Sequence, residues 1–537
     1  MHRLIVVSLA LVSLVLAWFY MAAISRTDPW YRNTDMNIHN MVDALLINSD
    51  VRPNPFDQPA VPLKYLLALD YRVRHYLGLL PVWNLKKFGA SADPLREIPA
   101  LIHIERIHSR VLVILFILSA AWLAYTVTRE VEPACFTVIL LCGSSGLLFH
   151  GLLIRPELLC VGFGNVLALA CTWRALTARS WWGNHAWLFL AGLLVGLSTL
   201  EKLPGICYFG LCYGWCWLAA LTSPPGSAPR RTRPPFWGGL LPAAGGAAAL
   251  ALLFLLGKFH EALGPVVITR LRFAAVLIAL LPLLLAGLGR RGLGLFTQHR
   301  GRELALLGAG VLSALLVSHL LLRGVMSEAS AAGYFSGALH FIVDPAPYMK
   351  DLLYAKQESG HAFMMFVDHA PFLFVGATAI AIGAGLVRSI PLQLKAFIAL
   401  LWVGALGMTY VMSKRHHLAQ YDIFPEVPLL LVLTLSLYAF AASWQERHRA
   451  NAGHWAVPLV FTAGLLLMLT SYFRVRPIYD HYQSDADLPV NSLTLTFLYD
   501  HDEHAEAYLT IMKTHYGSRD AFAKTLQQYL ADPAHRY

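Results

Sequence analysis

Ionisable residues stand at the turns between long hydrophobic runs of this chain, where charge is expensive and a plain membrane anchor has no need of it. Asp35 follows the first run, Arg155 and Glu157 lie in LLIRPELL, and Lys202 lies in LSTLEKLPG. Lys414, Arg415, His416 and His417 lie in MSKRHHLAQY, just before Tyr421. A carboxylate set among several cations suits a base acting beside a bound phosphate. Each group also has a plainer reading. Asp35 falls in the first turn of an expected helix, where the dipole and free N–H groups keep it ionised. It is placed to accept a proton or hold a metal, or simply to cap the helix. Asp28 and Asp43 are competing carboxylates, and Asp43, about two turns further along that helix, could share the site. Arg155 and Glu157 either orient a substrate, the guanidinium on a phosphate and the carboxylate on a sugar hydroxyl, or form a snorkelling pair at headgroup level. Lys202, beside Glu201, is an interfacial pair or a point charge for a phosphate next to the helix-breaking Pro204 and Gly205. The 414–417 cluster with Tyr421 makes a cradle for a lipid-linked phosphate, or a headgroup site without catalysis.

Other chemistry is less well supported. Adjacent histidines rarely ligate one ion, and no HExxH spacing occurs. The two D-x-D patterns, Asp485 with Asp487 and Asp500 with Asp502, lie beyond the last hydrophobic run. There is no Walker A sequence, no GxSxG elbow and no glycine-rich nucleotide loop. Donor chemistry must therefore arrive in a form the membrane delivers, and an activated lipid is the natural candidate.

The elements that position these groups follow from hydropathy. The chain has 537 residues, 57% hydrophobic and 14% charged, more apolar surface than a soluble domain could bury. Strand-like alternation is rare, which argues against a membrane β-barrel. An all-α polytopic membrane protein is expected, with about thirteen spans. They fall near 4–24, 109–128, 133–153, 158–176, 185–200, 205–222, 237–257, 265–287, 303–322, 371–387, 395–412, 424–442 and 455–472, and the short fifth run could be a broken helix. The first run is long for a signal-peptide core and is expected to remain as a span. The formal net charge of +10 lies mostly in loops, so it orients the chain and does not imply nucleic acid. With the N-terminus inside, every inner connection is basic, from Arg129 through Arg230, Arg231 and Arg233 to Arg447 and Arg449. The C-terminus is then outside, and all four charged turns share the outer face.

Three outer segments, 25–108, 323–370 and 473–537, are too long to be connectors. Thr34 caps an expected amphipathic helix carrying Met36, Ile38, Met41, Val42, Leu45 and Leu46. A second runs from Pro62 to Gly78 with Leu63, Leu66, Leu67 and Val73 inward, and both are expected along the membrane surface. The chain divides into a membrane domain, 1–472, and a small helical C-terminal domain, 473–537. All seven cysteines fall in or beside the spans of one region and read as packing residues, not disulfides or metal ligands.

Taken together, these stretches resemble the GT-C superfamily of integral membrane glycosyltransferases, and above all its bacterial protein-mannosyltransferase-like and aminoarabinose-transferase-like members. TDMNIHNMVDALL resembles the family's D-E-x-x-Y-x-x-x-A stretch, with Asp35 at the acidic position and Met36 and His39 replacing the second acid and the aromatic. DQPAVPLKYLLAL is similar to P-P-L-x-Y-Y through Pro59, Pro62, Leu63 and Tyr65, with two residues inserted. IERIHSRVLVILF resembles the R-L-x-S-x-L lead into the second span through Arg106 and Ser109. LIRPELL resembles an A-R-P-D/E turn, GLSTLEKLPG a G-L-x-x-x-x-K-x-x-G pattern, and KRHHLAQYDIFP a K-x-H-Y-x-x-x-x-x-P pattern with His417 at the aromatic position.

The resemblance implies a GT-C-like bundle in a bacterial inner membrane, with its large loops in the periplasm. It implies a sugar donor linked to polyprenyl phosphate and a lipid, glycan or protein acceptor, with inversion at the anomeric carbon. Asp35 would be the general base on the acceptor, or would position it. Lys202, Lys414, Arg415 and His416 would hold the donor phosphate. A divalent ion at Asp35 is compatible with the residues, but no second ligand is evident, so no metal is expected to be required. Membrane lipids are the other expected partners. The alternative is a transporter or flippase for lipid-linked sugars, which would need charged sites nearer the midplane.

Overall fold

A computed structural model describes residues 2–27, 29–31, 34–53, 60–177, 181–222, 300–343, 371–411, 421–448 and 506–535, with single residues at 462, 466, 495, 498 and 499. Lys414, Arg415, His416 and His417 and the side chain of Asp35 lie outside the described residues, as do the expected spans at 237–257 and 265–287 and nearly all of the one at 455–472.

Every expected span within the described residues is a helix. Helix α1 covers His2–Thr27, α5 Ile98–Thr128, α9 Ala168–Thr177, α10 Trp181–Glu201 and α11 Cys207–Thr222. Then come α12 (Arg300–Arg323), α14 (Pro371–Leu386), α15 (Leu392–Val411) and α16 (Ile423–His448). Among the described residues, seven helices are long and apolar enough to cross a membrane. The fifth run is not broken: α10 is continuous over 21 residues. The breaks fall in its neighbours. The third run splits at Gly143–Ser144 into α6 (Val131–Cys142) and α7 (Ser145–His150). The fourth starts as α8 (Pro156–Val161) and passes through a π turn at Gly162–Leu167 before α9. The α6–α7 break leaves new N–H groups, and the Glu426 carboxylate on α16 accepts from Ser145 N at 3.1 Å and Gly146 N at 2.8 Å.

Close backbone approach fixes the middle of the bundle. A Cβ on Gly192 of α10 would collide with the Leu307 carbonyl of α12, and one on Gly310 with the Phe189 carbonyl. Gly196 faces Ala314 one turn on. Small residues at four-residue spacing on both helices let the two backbones touch, the usual basis of helix association in lipid.

At one end of the bundle Arg3 pairs with Glu130 and Glu132 at 3.2 Å. At the other end a second hydrophobic core is built from the segments after α1. Helix α2 (Thr34–Ile47) lies innermost there, under α3 (Val61–Tyr76) and against α5. Its apolar residues Ile38, Met41, Val42, Leu45 and Leu46 are inside, as expected, but so is its polar side, Asn37, His39, Asn40 and Asp43. The expectation of a surface helix is therefore corrected for α2. Asn40 Nδ2 donates to Ile154 O at 3.1 Å, and Asn48, just past the helix, donates through Nδ2 to Ala68 O at 2.8 Å and Trp83 O at 3.0 Å. In α3, Leu63 and Leu67 face inward and Leu66 is half-buried, whereas Val73 is 45% exposed. The inward stripe runs instead through Lys64, Ala68 and Tyr71, because Lys64 has a carboxylate to meet.

Asp50, after α2, accepts from Ser327 N at 2.6 Å, joining α2 to the start of α13 (Glu328–Val343). The C-terminal helices α17 (Glu506–Tyr516) and α18 (Arg519–Ala531) sit on the same core beside α4 (Leu85–Gly89). Tyr508 stacks on Phe88 at 5.8 Å, Tyr516 Oη donates to Asp93 at 2.6 Å, and Trp30 Nε1 donates to His535 O at 2.9 Å. Thus α17 and α18 form one hydrophobic unit with the first outer segment, and the expected domain boundary at 473 falls among residues outside those described. Six of the seven cysteines are buried in the helix packing, and Cys207 is exposed.

Candidate functional site

Three breaks in helical regularity meet where the bundle core and the outer core join. Arg155 precedes α8 in an extended conformation, with Pro156 at the first helical position. Glu157 therefore stands in the first turn of α8, fully buried, where a carboxylate suits the helix dipole. Lys202 is likewise extended, between the end of α10 and a 3₁₀ turn at Leu203–Ile206. Gly205 is needed there, because a Cβ would lie 2.5 Å from the Ser198 backbone. Tyr421 opens the approach to α16 and is 2% exposed.

These turns bring four side chains together from three places far apart in sequence. Lys202 Nζ lies 2.5 Å from Glu157 Oε1, and Arg155 Nε lies 3.5 Å from Glu157 Oε2. The Tyr421 hydroxyl is 3.3 Å from Lys202 Nζ, and the ammonium also sits 4.6 Å from the ring centroid. Two cations thus share one carboxylate, walled on one side by an aromatic ring. Glu157 Oε1 meets the Lys202 ammonium and Oε2 lies toward Arg155, so the carboxylate holds both cations at the turn.

A second buried group adjoins the first. Lys64 Nζ is 2.7 Å from Asp43 Oδ2, both 3% exposed, and His39 Nε2 is 4.0 Å from the same oxygen. Asp43 thus stands with Lys64. The Glu201 carboxylate, wholly buried, faces the Leu63 N–H and the Lys64 charge, while Ala60 N donates to Glu201 O at 3.2 Å. Charges alternate from the outer helices to the bundle: Asp43, Lys64, Glu201, Lys202, Glu157 and Arg155. Tyr65, on another face of α3, is half-buried against the outer core.

Asp35 belongs by its backbone to the first turn of α2. That helix touches the segment before Arg155 through the Asn40 to Ile154 bond. Among the described residues, no three His, Cys, Asp or Glu side chains gather as a metal site. Sequence reasoning missed Lys64 and Glu426. Lys64 in VPLKYL has the pattern of a solvent-facing lysine, and Glu426 in IFPEVP that of an interfacial acid. The available signal was the acid at Asp43 with no assigned partner and the small-residue break GSSG at 143–146.

The fold defines a polytopic α-helical membrane protein with a helical outer layer. No family model and no curated protein matches the sequence. Among solved structures, the chain is similar to the Archaeoglobus fulgidus oligosaccharyltransferase. To its apo form the TM-score is 0.48 at 14% identity, over 93% of this chain and 59% of that one. To the form tethered with an acceptor peptide containing the NVT sequon, the values are 0.41 and 15%, over 93% and 59%. This chain thus spans about three fifths of the length of that protein.

Proposed function

We propose that the protein is a membrane glycosyltransferase that moves a sugar from a polyprenyl-phosphate-linked donor to a lipid, glycan or protein acceptor at the outer, periplasmic face of the inner membrane. The observation that supports it is the convergence of Arg155, Glu157, Lys202 and Tyr421 at the seam below the outer helices. The Lys202 ammonium and the Arg155 guanidinium, held by Glu157, take the donor phosphate. Tyr421 keeps the ammonium on the phosphate side, and Lys414, Arg415 and His416, a few residues earlier in sequence, add charge. The acceptor oxygen or nitrogen attacks the anomeric carbon as its bond to the phosphate oxygen breaks. Configuration inverts, Asp35 takes the acceptor proton, and the cations balance the phosphate charge that develops. Asp43 and Tyr65 belong to the helices that roof this seam.

The test uses the full chain in native-lipid nanodiscs with labelled polyprenyl-phosphate sugars and membrane-extracted acceptors, with and without a chelator. Transfer by the wild type that collapses in Asp35→Asn while donor binding persists is the expected result. Loss of donor binding in Lys202→Ala places the phosphate. Binding without cleavage, unchanged in Asp35→Asn, would replace the enzyme with a transporter or binding protein for the same lipid.

A further inference from the structure

A different cluster of charge lies where α1 and α5 meet at the same end of the bundle. His103, Arg106 and Arg110 follow one another at helical spacing on α5. Arg106 is spent on structure: its Nη1 donates to Ser25 O at 2.9 Å and its Nη2 to Pro29 O at 3.4 Å, tying α1 to α5. That tie sets Arg26, next to Ser25 and exposed, against the same face. Arg110 donates through Nε to Arg106 O at 3.1 Å, and its guanidinium lies 5.2 Å from the Trp18 ring centroid. Among the described residues, its two terminal nitrogens take no hydrogen bond and neither Arg110 nor Arg26 meets a carboxylate. Among the described residues, two neighbouring acids are engaged elsewhere. Glu105 faces Tyr71 Oη at 3.2 Å, and Asp70 pairs with Arg74 at 3.0 Å. His103, exposed, stands within the field of Arg26, Arg106 and Arg110.

The chain below this cluster is apolar and exposed on both helices, through Val15 and Phe19 of α1 and Val111 and Leu115 of α5. Both are membrane-spanning helices. Cations rimming a lipid-facing apolar strip, with a tryptophan at the boundary, match a lipid whose head is anionic and whose chains run down the strip. A soluble anion would have no use for the strip.

We infer that the outer rim of α1 and α5 is a binding site for the phosphate of an anionic membrane lipid, with the exposed Arg26 as its direct contact and Arg110, only 4% exposed, supplying charge from behind it. His103 stands at the margin, and Trp18 walls the headgroup from the acyl region. This site is separate from the Lys202 turn and independent of the proposed transfer reaction.

Native mass spectrometry of the purified full chain, with added phosphatidylglycerol or phosphatidylcholine, reads the site directly. The wild type retains phosphatidylglycerol in preference, and Arg26→Gln/Arg110→Gln loses that preference by about fivefold for each charge removed. Millimolar inorganic phosphate does not displace the lipid. Equal retention of the two lipids, unchanged preference in the double variant, or displacement by inorganic phosphate would each overturn the inference, the last in favour of a free-anion site. Should Arg110→Gln fail to fold, Arg26→Gln alone, at an exposed position, should lower the preference by about fivefold, with the same overturning result.

Discussion

Lys202 stands between a carboxylate and a phenol, and the two contacts separate its structural work from its proposed chemistry. Replacing it with Met leaves Glu157 buried without that partner, a loss of about 3–5 kcal/mol. Lys202→Met/Glu157→Met should recover only part of that stability, because it leaves the buried Arg155 without Glu157, and donor binding should stay absent. Thermal melts of the three variants in detergent, beside a donor-binding assay, separate the two effects. Tyr421→Phe keeps the ring under the ammonium and loses only the hydroxyl contact, so its cost should be about 1 kcal/mol or less. Tyr421→Ala, which also removes the ring, should cost more on the same melts. The turn residues Arg155, Glu157 and Lys202 were legible in sequence because charge beside Pro or Gly between apolar runs has few other uses. Lys64 was not, since the partner that keeps it inside lies on another helix.

Helix α10 shows what one element asks of its neighbours. Its Gly192 and Gly196 allow α12 to lie against its backbone, and Gly192→Leu should cost about 3 kcal/mol by forcing the helices apart. Size-exclusion profiles and melts of Gly192→Leu, beside Gly376→Leu as a control where a Cβ meets open space, would read this. Helix α3 carries a pH-dependent contact. Burial alone would raise the Asp70 carboxyl, but hydrogen bonds from His108 and Arg74 outweigh it and hold it below the usual carboxylate value. A depressed native value means that this contact stabilises fully above the unfolded carboxylate range, near 3.9, and is lost as pH falls through the folded value. Melts from neutral pH down to the acid range should show a shallower acid decline for Asp70→Asn than for the wild type, and an equal decline would remove this role. Most helices were legible from apolar runs of spanning length. The burial of α2 was not, because hydropathy reports the amphipathic face and is silent on whether protein or water covers the other. The breaks near 143 and 162 were hidden for a related reason: a buried carboxylate, Glu426, supports the first from another helix.

Among the described residues, two large hydrophobic cores are stacked along the bundle, and the second draws on segments far apart in sequence. Tyr508 on α17 is fully buried against Phe88, so Tyr508→Ala should cost about 3 kcal/mol and expose the segment near α4 to protease. Limited proteolysis of intact protein in nanodiscs checks this, and an unchanged cleavage pattern would mean that α17 is not a cover. The order of basic loops leads one to expect both segments on the same side of the membrane, but their joining was not legible, since no local pattern in either names the other. Their union has a bearing on biogenesis. Gly89 and Glu506 are separated by roughly 400 residues, which at 5–20 residues per second leaves roughly 20–80 s between their syntheses. Throughout that interval the nascent outer layer presents Phe88 and Trp30 without the helices that later cover them. A chain cut short before α17 would carry a nearly full set of membrane helices and an uncovered apolar face, a form that cellular quality control is equipped to recognise.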